Sequence, residues 1–121
     1  MERTVRVAIA DDQAMFRQSL RFVLGRQAGL KVVAEADNGQ SAIEMVEEHR
    51  PDVVLMDISM PDLNGIEATR IIMSRFPETR VIILSLHQEQ NFALQACLAG
   101  ACRYLCKDCS PQDILDAILG H

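Results

Sequence analysis

The chain has 121 residues, of which 49% are hydrophobic and 24% are charged, and its formal net charge is −5. This length and this balance of hydrophobic and charged residues are typical of a single soluble globular domain. The acidic balance argues against a nucleic-acid-binding surface on this domain. No apolar stretch is long enough for a secretion signal or a membrane span. We therefore expect a cytoplasmic protein with no membrane partner.

Five apolar runs predict five strands, at residues 5–10, 31–36, 53–57, 81–84 and 102–106. The third and fourth runs are uninterrupted, which is typical of strands buried on both faces of a sheet. Between the strands, apolar residues recur three or four positions apart and predict helices. Turn residues follow the first four helices and a capping pair begins the fifth: Gly29, Pro51, Pro77 and Gly100, then Ser110 with Pro111.

The order of these elements is β-α repeated five times, with about 24 residues in each unit. Such alternation predicts parallel strands joined by helical crossovers, with helices on both faces of the sheet. We therefore predict one α/β domain over residues 1–121. It is a (βα)5 doubly wound parallel sheet with the flavodoxin-like strand order 2-1-3-4-5.

Polar residues stand where four of the five predicted strands end: Asp11 and Asp12, Asp57, Ser85 and Lys107. The carboxyl ends of parallel strands share one edge of the sheet, where ligands bind in open α/β folds. In the predicted order the first and third strands are neighbours, so three carboxylates meet there. Like charges at close range repel each other unless a cation binds. Carboxylate oxygens are the ligands that Mg²⁺ prefers, so we predict a magnesium site.

The chemistry of this set of residues favours phosphoryl transfer. Asp57 can attack phosphorus and form an acyl phosphate, and it is the best candidate for the nucleophile. Lys107 and Mg²⁺ neutralise charge on the phosphoryl oxygens, and Ser85 offers a hydroxyl donor.

These residues, together with Met60-Pro61 and Asn64-Gly65, resemble the receiver domain of bacterial two-component response regulators. The resemblance covers essentially the whole chain. It implies that Asp57 accepts a phosphoryl group from a sensor histidine kinase, and that the protein catalyses only its own phosphotransfer and autodephosphorylation.

The same resemblance implies roles for the other site residues. Mg²⁺ is held by Asp12, Asp57 and the backbone carbonyl of Ser59, with Asp11 acting largely through water. Ser85 and Tyr104 form a switch pair, in which the ring follows the hydroxyl inward and biases a pre-existing equilibrium. Partners then bind the face around the fourth helix, fifth strand and fifth helix. Ser59 and His87 stand at positions that tune dephosphorylation.

Residues 60–68, 84–87 and 107–108 are similar to regulators of the NarL/LuxR type. That similarity implies a helix-turn-helix DNA-binding domain beyond residue 121, control of transcription and a homodimer formed on phosphorylation. The alternative is a stand-alone or phosphorylation-independent receiver that acts as a protein-interaction module. Asp108 stands where many receivers have a proline after a cis bond, so we expect a trans bond or a strained one at Lys107.

Four clustered cysteines, Cys97, Cys102, Cys106 and Cys109, leave a metal or redox sensor as a further alternative. We interpret them as small buried hydrophobic residues, with Cys102 and Cys106 on the fifth strand. Two other classes of protein, one of enzymes and one of electron carriers, are disfavoured. A haloacid-dehalogenase-type phosphatase has a second aspartate where this chain has Ser59, and a flavodoxin needs a phosphate-binding loop where this chain has Asp11-Asp12-Gln13.

Overall fold

The computed structural model describes residues 4–86 and 90–120. In this part of the chain the strands are β1 (Val5–Ala10), β2 (Leu30–Ala36), β3 (Val53–Asp57), β4 (Arg80–Ser85) and β5 (Arg103–Cys106). The helices are α1 (Ala14–Gly25), α2 (Gly39–His49), α3 (Gly65–Arg75), α4 (Gln90–Ala99) and α5 (Pro111–Leu119). The predicted alternation of five strands and five helices is confirmed.

The strands form one parallel sheet in the order β2-β1-β3-β4-β5, as predicted. Strand β3 lies at the centre, and all five of its residues are buried. This burial explains why its sequence is an unbroken apolar run up to Asp57. Strands β1 and β4 lie on either side of β3, so the residues that follow these three strands meet at one edge of the sheet.

The sheet separates two hydrophobic cores, because successive side chains of a strand point to opposite faces. Helices α2, α3 and α4 cover one face, and their buried residues pack against Ala8, Met56 and Ile83 of the sheet. Helices α1 and α5 cover the other face, against Ile9 and Leu55. Both faces are therefore closed, and the polar chemistry is confined to the sheet edge.

Three helices begin with a side-chain cap that satisfies an unpaired backbone N–H of the first turn. The side chains of Asn38, Asn64 and Ser110 accept hydrogen bonds from the backbone of Ser41, Glu67 and Asp113. The side chain of Asp113 also accepts a hydrogen bond from the backbone N–H of Ser110, which completes a capping box. The predicted start of α5 is confirmed.

Several boundaries differ from the predictions: β2 begins one residue earlier, at Leu30, and β4 spans Arg80–Ser85 rather than residues 81–84. Helix α1 ends at Gly25, four residues before Gly29, and Gly29 adopts a positive φ of 87° just before β2. Cys102 precedes β5 and lies in a bend, although its N–H donates to the carbonyl of Val81 in β4. Among the described residues no peptide bond is cis, so the bond between Lys107 and Asp108 is trans.

None of the helices in the described segments has the length and apolar character that crossing a bilayer requires.

Candidate functional site

Three carboxylates meet at the carboxyl edge of the sheet. One oxygen from each of Asp11, Asp12 and Asp57 lies within 4.8 Å of the others. Asp11 and Asp57 are 2% and 5% exposed, whereas Asp12 is exposed. The sheet order brings the three together, because β1 and β3 are adjacent strands. The clustering predicted from the strand order is therefore present in the structure.

Lys107 extends into this cluster from the turn after β5. Its Nζ lies 2.8 Å from Oδ2 of Asp11 and 3.6 Å from Oδ2 of Asp57. Nζ also donates a hydrogen bond to Oε1 of Gln13 at 2.8 Å and lies 4.4 Å from the centre of the Phe16 ring. The side chain of Lys107 is 6% exposed, so the ammonium is held in place by charge, a hydrogen bond and an aromatic face.

The pKa of Asp57 is raised from its ordinary value of 3.8 to about 6. Burial is the largest cause, and the neighbouring charge of Asp11 adds to it. Lys107 and the backbone N–H of Ser59 lower the pKa, and Asp12 raises it slightly further. The positive charge of Lys107 thus offsets only part of the free energy required to ionise a buried carboxyl beside other acids.

A cavity of about 280 Å³ opens onto Asp57. Its wall is formed by Asp12, Gln13, Asp57, Ser59, Leu86 and Lys107. These carboxylate oxygens are the kind of hard ligand that fits Mg²⁺. In octahedral geometry each ligand oxygen lies about 2.1 Å from the ion, so two oxygens on opposite sides of the ion are about 4 Å apart. The carboxylate oxygens span a similar distance, and three negative charges against one ammonium leave an excess that a divalent cation would neutralise.

Ser85 and Tyr104 share the α4 side of the sheet. Ser85 is the last residue of β4 and is 0% exposed. Tyr104 pairs with Ile83 in the sheet, is half-buried against the core of α2, α3 and α4, and lines a separate small pocket. Because Ile83 and Ser85 are two positions apart, their side chains share a face of β4 with the neighbouring Tyr104. Their switch roles stay predictions, and His87 lies outside the described residues.

The loop after β3 packs tightly against the backbone of Asp57. Gly65 donates its N–H to the carbonyl of Ile58 at 2.9 Å, and a Cβ at Gly65 would lie 1.9 Å from the carbonyl oxygen of Asp57. A Cβ at Gly39, the first residue of α2, would lie 2.0 Å from the carbonyl oxygen of Leu63 in the same loop. Two glycines therefore allow two helix starts to fix the loop that carries the site.

Sequence reasoning missed three residues that support the site. Gln13 and Phe16 hold the ammonium of Lys107, and Arg17 donates from Nη1 to the backbone carbonyl of Asp11 at 2.6 Å. The spacing of Phe16 fits the apolar period of α1 and by itself predicts only a core position. The position of Gln13 directly after the two acids was the one available signal.

The cysteines do not behave as the sequence predicts. Cys97 and Cys102 are exposed, and Cys106 and Cys109 are half-buried, so the interpretation as buried hydrophobic residues is wrong. The physical reason is their location: Cys97 faces outward on α4, and β5 is an edge strand. In residues 4–86 and 90–120 no cysteine belongs to a group of three potential metal ligands.

Comparison with known proteins decides the family. Residues 7–119 match the family described as response regulator receiver domain. The chain belongs to this family of receiver domains. The predicted family and fold are confirmed.

Relatives of this receiver domain are regulators of the LuxR type. It is 36% identical to the transcriptional regulatory protein DegU of Brevibacillus brevis, in an alignment covering 97% of this chain and 50% of that protein. It is also 36% identical to the probable transcriptional regulatory protein NarL of Mycobacterium tuberculosis, covering 95% of this chain and 53% of that protein. The chain thus spans about half the length of the curated relatives it matches.

A solved structure of a LuxR-family two-component response regulator from Aurantimonas sp. SI85-9A1 is similar to this receiver domain. The TM-score is 0.92 at 38% identity, and the match covers 97% of this chain and 84% of that chain. The receiver domain of NarL from Mycobacterium tuberculosis matches with a TM-score of 0.90 at 34% identity, covering 98% and 99% of the two chains.

The close approach at Gly65 predicts a large effect of a small substitution. Gly65→Ala should destabilise the receiver by about 2–4 kcal/mol, because the added methyl group meets backbone that cannot move without displacing Asp57. Gly25→Ala is the control: it lies at the end of α1 with open space around it, and we expect a gain of about 0.4–1 kcal/mol. Urea denaturation measures both. Equal effects of the two substitutions would contradict the proposed packing.

The raised pKa of Asp57 predicts a pH-dependent loss of stability. Between about pH 4 and pH 6 the folded chain holds a proton on Asp57 that the unfolded chain has released, so this group lowers the free energy of unfolding as pH rises through that window. Asp57→Asn should therefore stabilise the metal-free protein at pH 7 by up to about 3 kcal/mol and flatten this part of the pH profile.

Denaturation with a metal chelator present, from pH 4 to pH 8, measures this effect. The matched control is Asp62→Asn in the same loop, because Asp62 is exposed and its positive φ of 69° suits asparagine equally well. An unchanged profile in Asp57→Asn would show that Asp57 titrates as an ordinary carboxyl.

Proposed function

We propose that this receiver accepts a phosphoryl group on Asp57 from the phosphohistidine of a sensor histidine kinase. The observation that carries the proposal is the buried carboxylate of Asp57 on the wall of an open cavity, with two more acids within 4.8 Å and the ammonium of Lys107 at 3.6 Å. Membership of the receiver family supports it. Outside its own phosphotransfer and dephosphorylation, the protein is a signalling component rather than an enzyme.

Asp57 is suited to the nucleophilic role by its position and its charge state. With a pKa of about 6 it is mostly ionised at neutral pH, and burial leaves its carboxylate poorly solvated. In the transfer, one carboxylate oxygen of Asp57 bonds to phosphorus, the phosphorus–nitrogen bond of the donor breaks, and the imidazole leaves with its electron pair and gains a proton. The product is an acyl phosphate at the end of β3.

Asp12, Asp57 and the backbone carbonyl of Ser59 would hold Mg²⁺ in this receiver, with Asp11 contributing through water. When bound, the ion supplies positive charge beside the phosphoryl oxygens. Asp11 already accepts a hydrogen bond from the backbone N–H of Gln13 and pairs with Lys107, which leaves it less available as a direct ligand. The exposed Asp12 is the acid whose position best allows metal exchange with solvent.

Lys107 and Ser85 would recognise the phosphoryl oxygens. Lys107 has donors already directed between Asp11 and Asp57, and the group added to Asp57 would occupy the cavity next to it. Ser85 ends the strand beside β3, and Tyr104 shares its face of the sheet. We infer that a shift of the Ser85 hydroxyl toward the phosphoryl group draws the Tyr104 ring inward and changes the surface near α4 and β5.

Control of transcription is the output that the relatives support. DegU and NarL are named as transcriptional regulatory proteins, and this chain matches about half of their length. We propose that residues 1–121 form the receiver unit and that DNA is bound through a domain outside these residues. Phosphorylation would then favour a homodimer that places two such domains on DNA.

Phosphorylation at Asp57 is tested by intact-protein mass. After incubation with a small acyl-phosphate donor and Mg²⁺, we expect a single phosphoryl adduct in the wild type and in Asp62→Asn, and none in Asp57→Asn. Asparagine retains the size of the side chain but is not a nucleophile toward phosphorus, and the Asp62 variant controls for a lost loop charge.

An adduct in Asp57→Asn would exclude Asp57 as the acceptor. No adduct in the folded wild type under any condition would overturn the proposal and favour a receiver that signals by binding alone.

Because the acids and the lysine have separate proposed roles, removing one or the other should affect different properties, Mg²⁺ binding or the rate of phosphorylation. Asp12→Ala should abolish Mg²⁺ binding measured by titration calorimetry, because it removes an exposed carboxylate of the cluster. Lys107→Ala should retain Mg²⁺ binding but slow phosphorylation by about tenfold or more, since it removes charge that stabilises the transition state.

The matched control is Asp37→Ala, which removes an exposed acid directly after β2, at the same edge of the sheet but outside the cluster. It should leave both properties unchanged. If Lys107→Ala lost Mg²⁺ binding and Asp12→Ala retained it, the proposed roles of Asp12 as a metal ligand and of Lys107 in phosphorylation would be contradicted.

A further inference from the structure

Two of the four thiols lie at the two ends of the turn that carries Lys107. Cys106 is the last residue of β5, and Cys109 donates its backbone N–H to the carbonyl of Cys106 at 3.1 Å. This bond closes a β-turn with Lys107 and Asp108 at its corners. The first and last Cα atoms of a β-turn lie within about 7 Å, close to the range of about 4.4–6.8 Å that a disulfide spans. The backbone is therefore close to the geometry of a disulfide.

Acidic side chains lie close to both sulfurs. Sγ of Cys106 donates a hydrogen bond to Oδ1 of Asp108 at 2.7 Å. Burial raises the pKa of the Cys109 thiol, and the charges of Asp113, Cys106 and Asp108 raise it further. Strongly oxidising dithiols owe that property to stabilised thiolates in the reduced state. The Cys109 thiolate lacks stabilisation of that kind, so a disulfide at this pair should resist reduction better.

A metal site explains the pair less well than a disulfide does. A soft metal ion held by two thiolates needs further ligands at close range. In the described residues the group of three candidate ligands consists of the three acids at the sheet edge, and no cysteine joins such a group.

We propose that Cys106 and Cys109 form a reversible intramolecular disulfide that closes the turn around Lys107. The oxidant is a small-molecule disulfide. One protein thiolate attacks it and displaces a small thiol, and the second protein thiolate then displaces the other small thiol to form the Cys106–Cys109 bond. The protein loses two electrons and two protons, and the oxidant gains both. Disulfides that do form in reducing compartments are typically transient or redox-sensing.

The disulfide would affect phosphorylation, a consequence that rests on the proposed function. To form it, the Cys106 sulfur has to leave Asp108, and the Cys109 sulfur has to move relative to the cavity it lines with Phe16 and Lys107. Both changes act on the backbone and the alkyl chain of Lys107, whose ammonium is held at Asp11 and Asp57. We expect the oxidised receiver to be phosphorylated several-fold more slowly than the reduced one.

The experiment uses the Cys97→Ser/Cys102→Ser double variant, because it retains only the pair in question. The protein is incubated with excess oxidised glutathione, denatured, alkylated and weighed intact. We expect a monomer that has lost the mass of two hydrogen atoms and takes up no alkylating agent, and that regains both thiols after reduction. Adding Cys109→Ser or, separately, Cys106→Ser should prevent this product, with circular dichroism verifying the fold.

Two alkylated thiols, a mixed disulfide with glutathione as the final product, or a disulfide-linked dimer would each overturn the proposal. The reduced and oxidised forms are then compared for phosphorylation by the acyl-phosphate donor with Mg²⁺. Equal rates would contradict the effect on Lys107. No adduct in the reduced form would contradict the proposed function and with it this effect, whereas the disulfide itself is judged by the thiol masses alone.

Discussion

The repulsion among three carboxylates at one edge of the sheet is the constraint on which the site depends. Asp57 and Asp11 are buried together, and burial and mutual charge raise the pKa of Asp57 to about 6. The ammonium of Lys107 offsets part of this cost, and it is itself held by Gln13 and Phe16. A site that is short of positive charge is well suited to bind a divalent cation.

The fold holds these charges together by closing both faces of the sheet with helices. The two cores leave the carboxyl edge as the place where polar side chains collect, and they make the strands that carry them rigid. The loop after β3 is fixed from two directions, since α3 begins against the backbone of Asp57 and α2 begins against that of Leu63. Stability and the geometry of the site are coupled here, because the backbone contacts that hold α2 and α3 against this loop also orient Asp57.

The turn after β5 connects the site to a second kind of chemistry. Lys107 lies between Cys106 and Cys109, so a change in the conformation of this turn moves the backbone from which the lysine side chain extends. The turn is on an edge strand, where the cysteines reach solvent. In this receiver, therefore, the group that balances the acids is carried by a turn on an edge strand.

The sequence by itself determined the alternation of strands and helices, the strand order and the set of acids, because hydrophobic period and turn residues are local signals and a doubly wound topology has few alternatives. It also pointed to Lys107, whose position after a strand is visible in one dimension. Only the tertiary structure decided which neighbours hold that lysine, since Gln13, which precedes α1, and Phe16, in its first turn, lie more than ninety residues earlier in the chain. The exposure of the cysteines was likewise decided in three dimensions, because a small apolar residue is buried or exposed according to the face and the strand on which it lies.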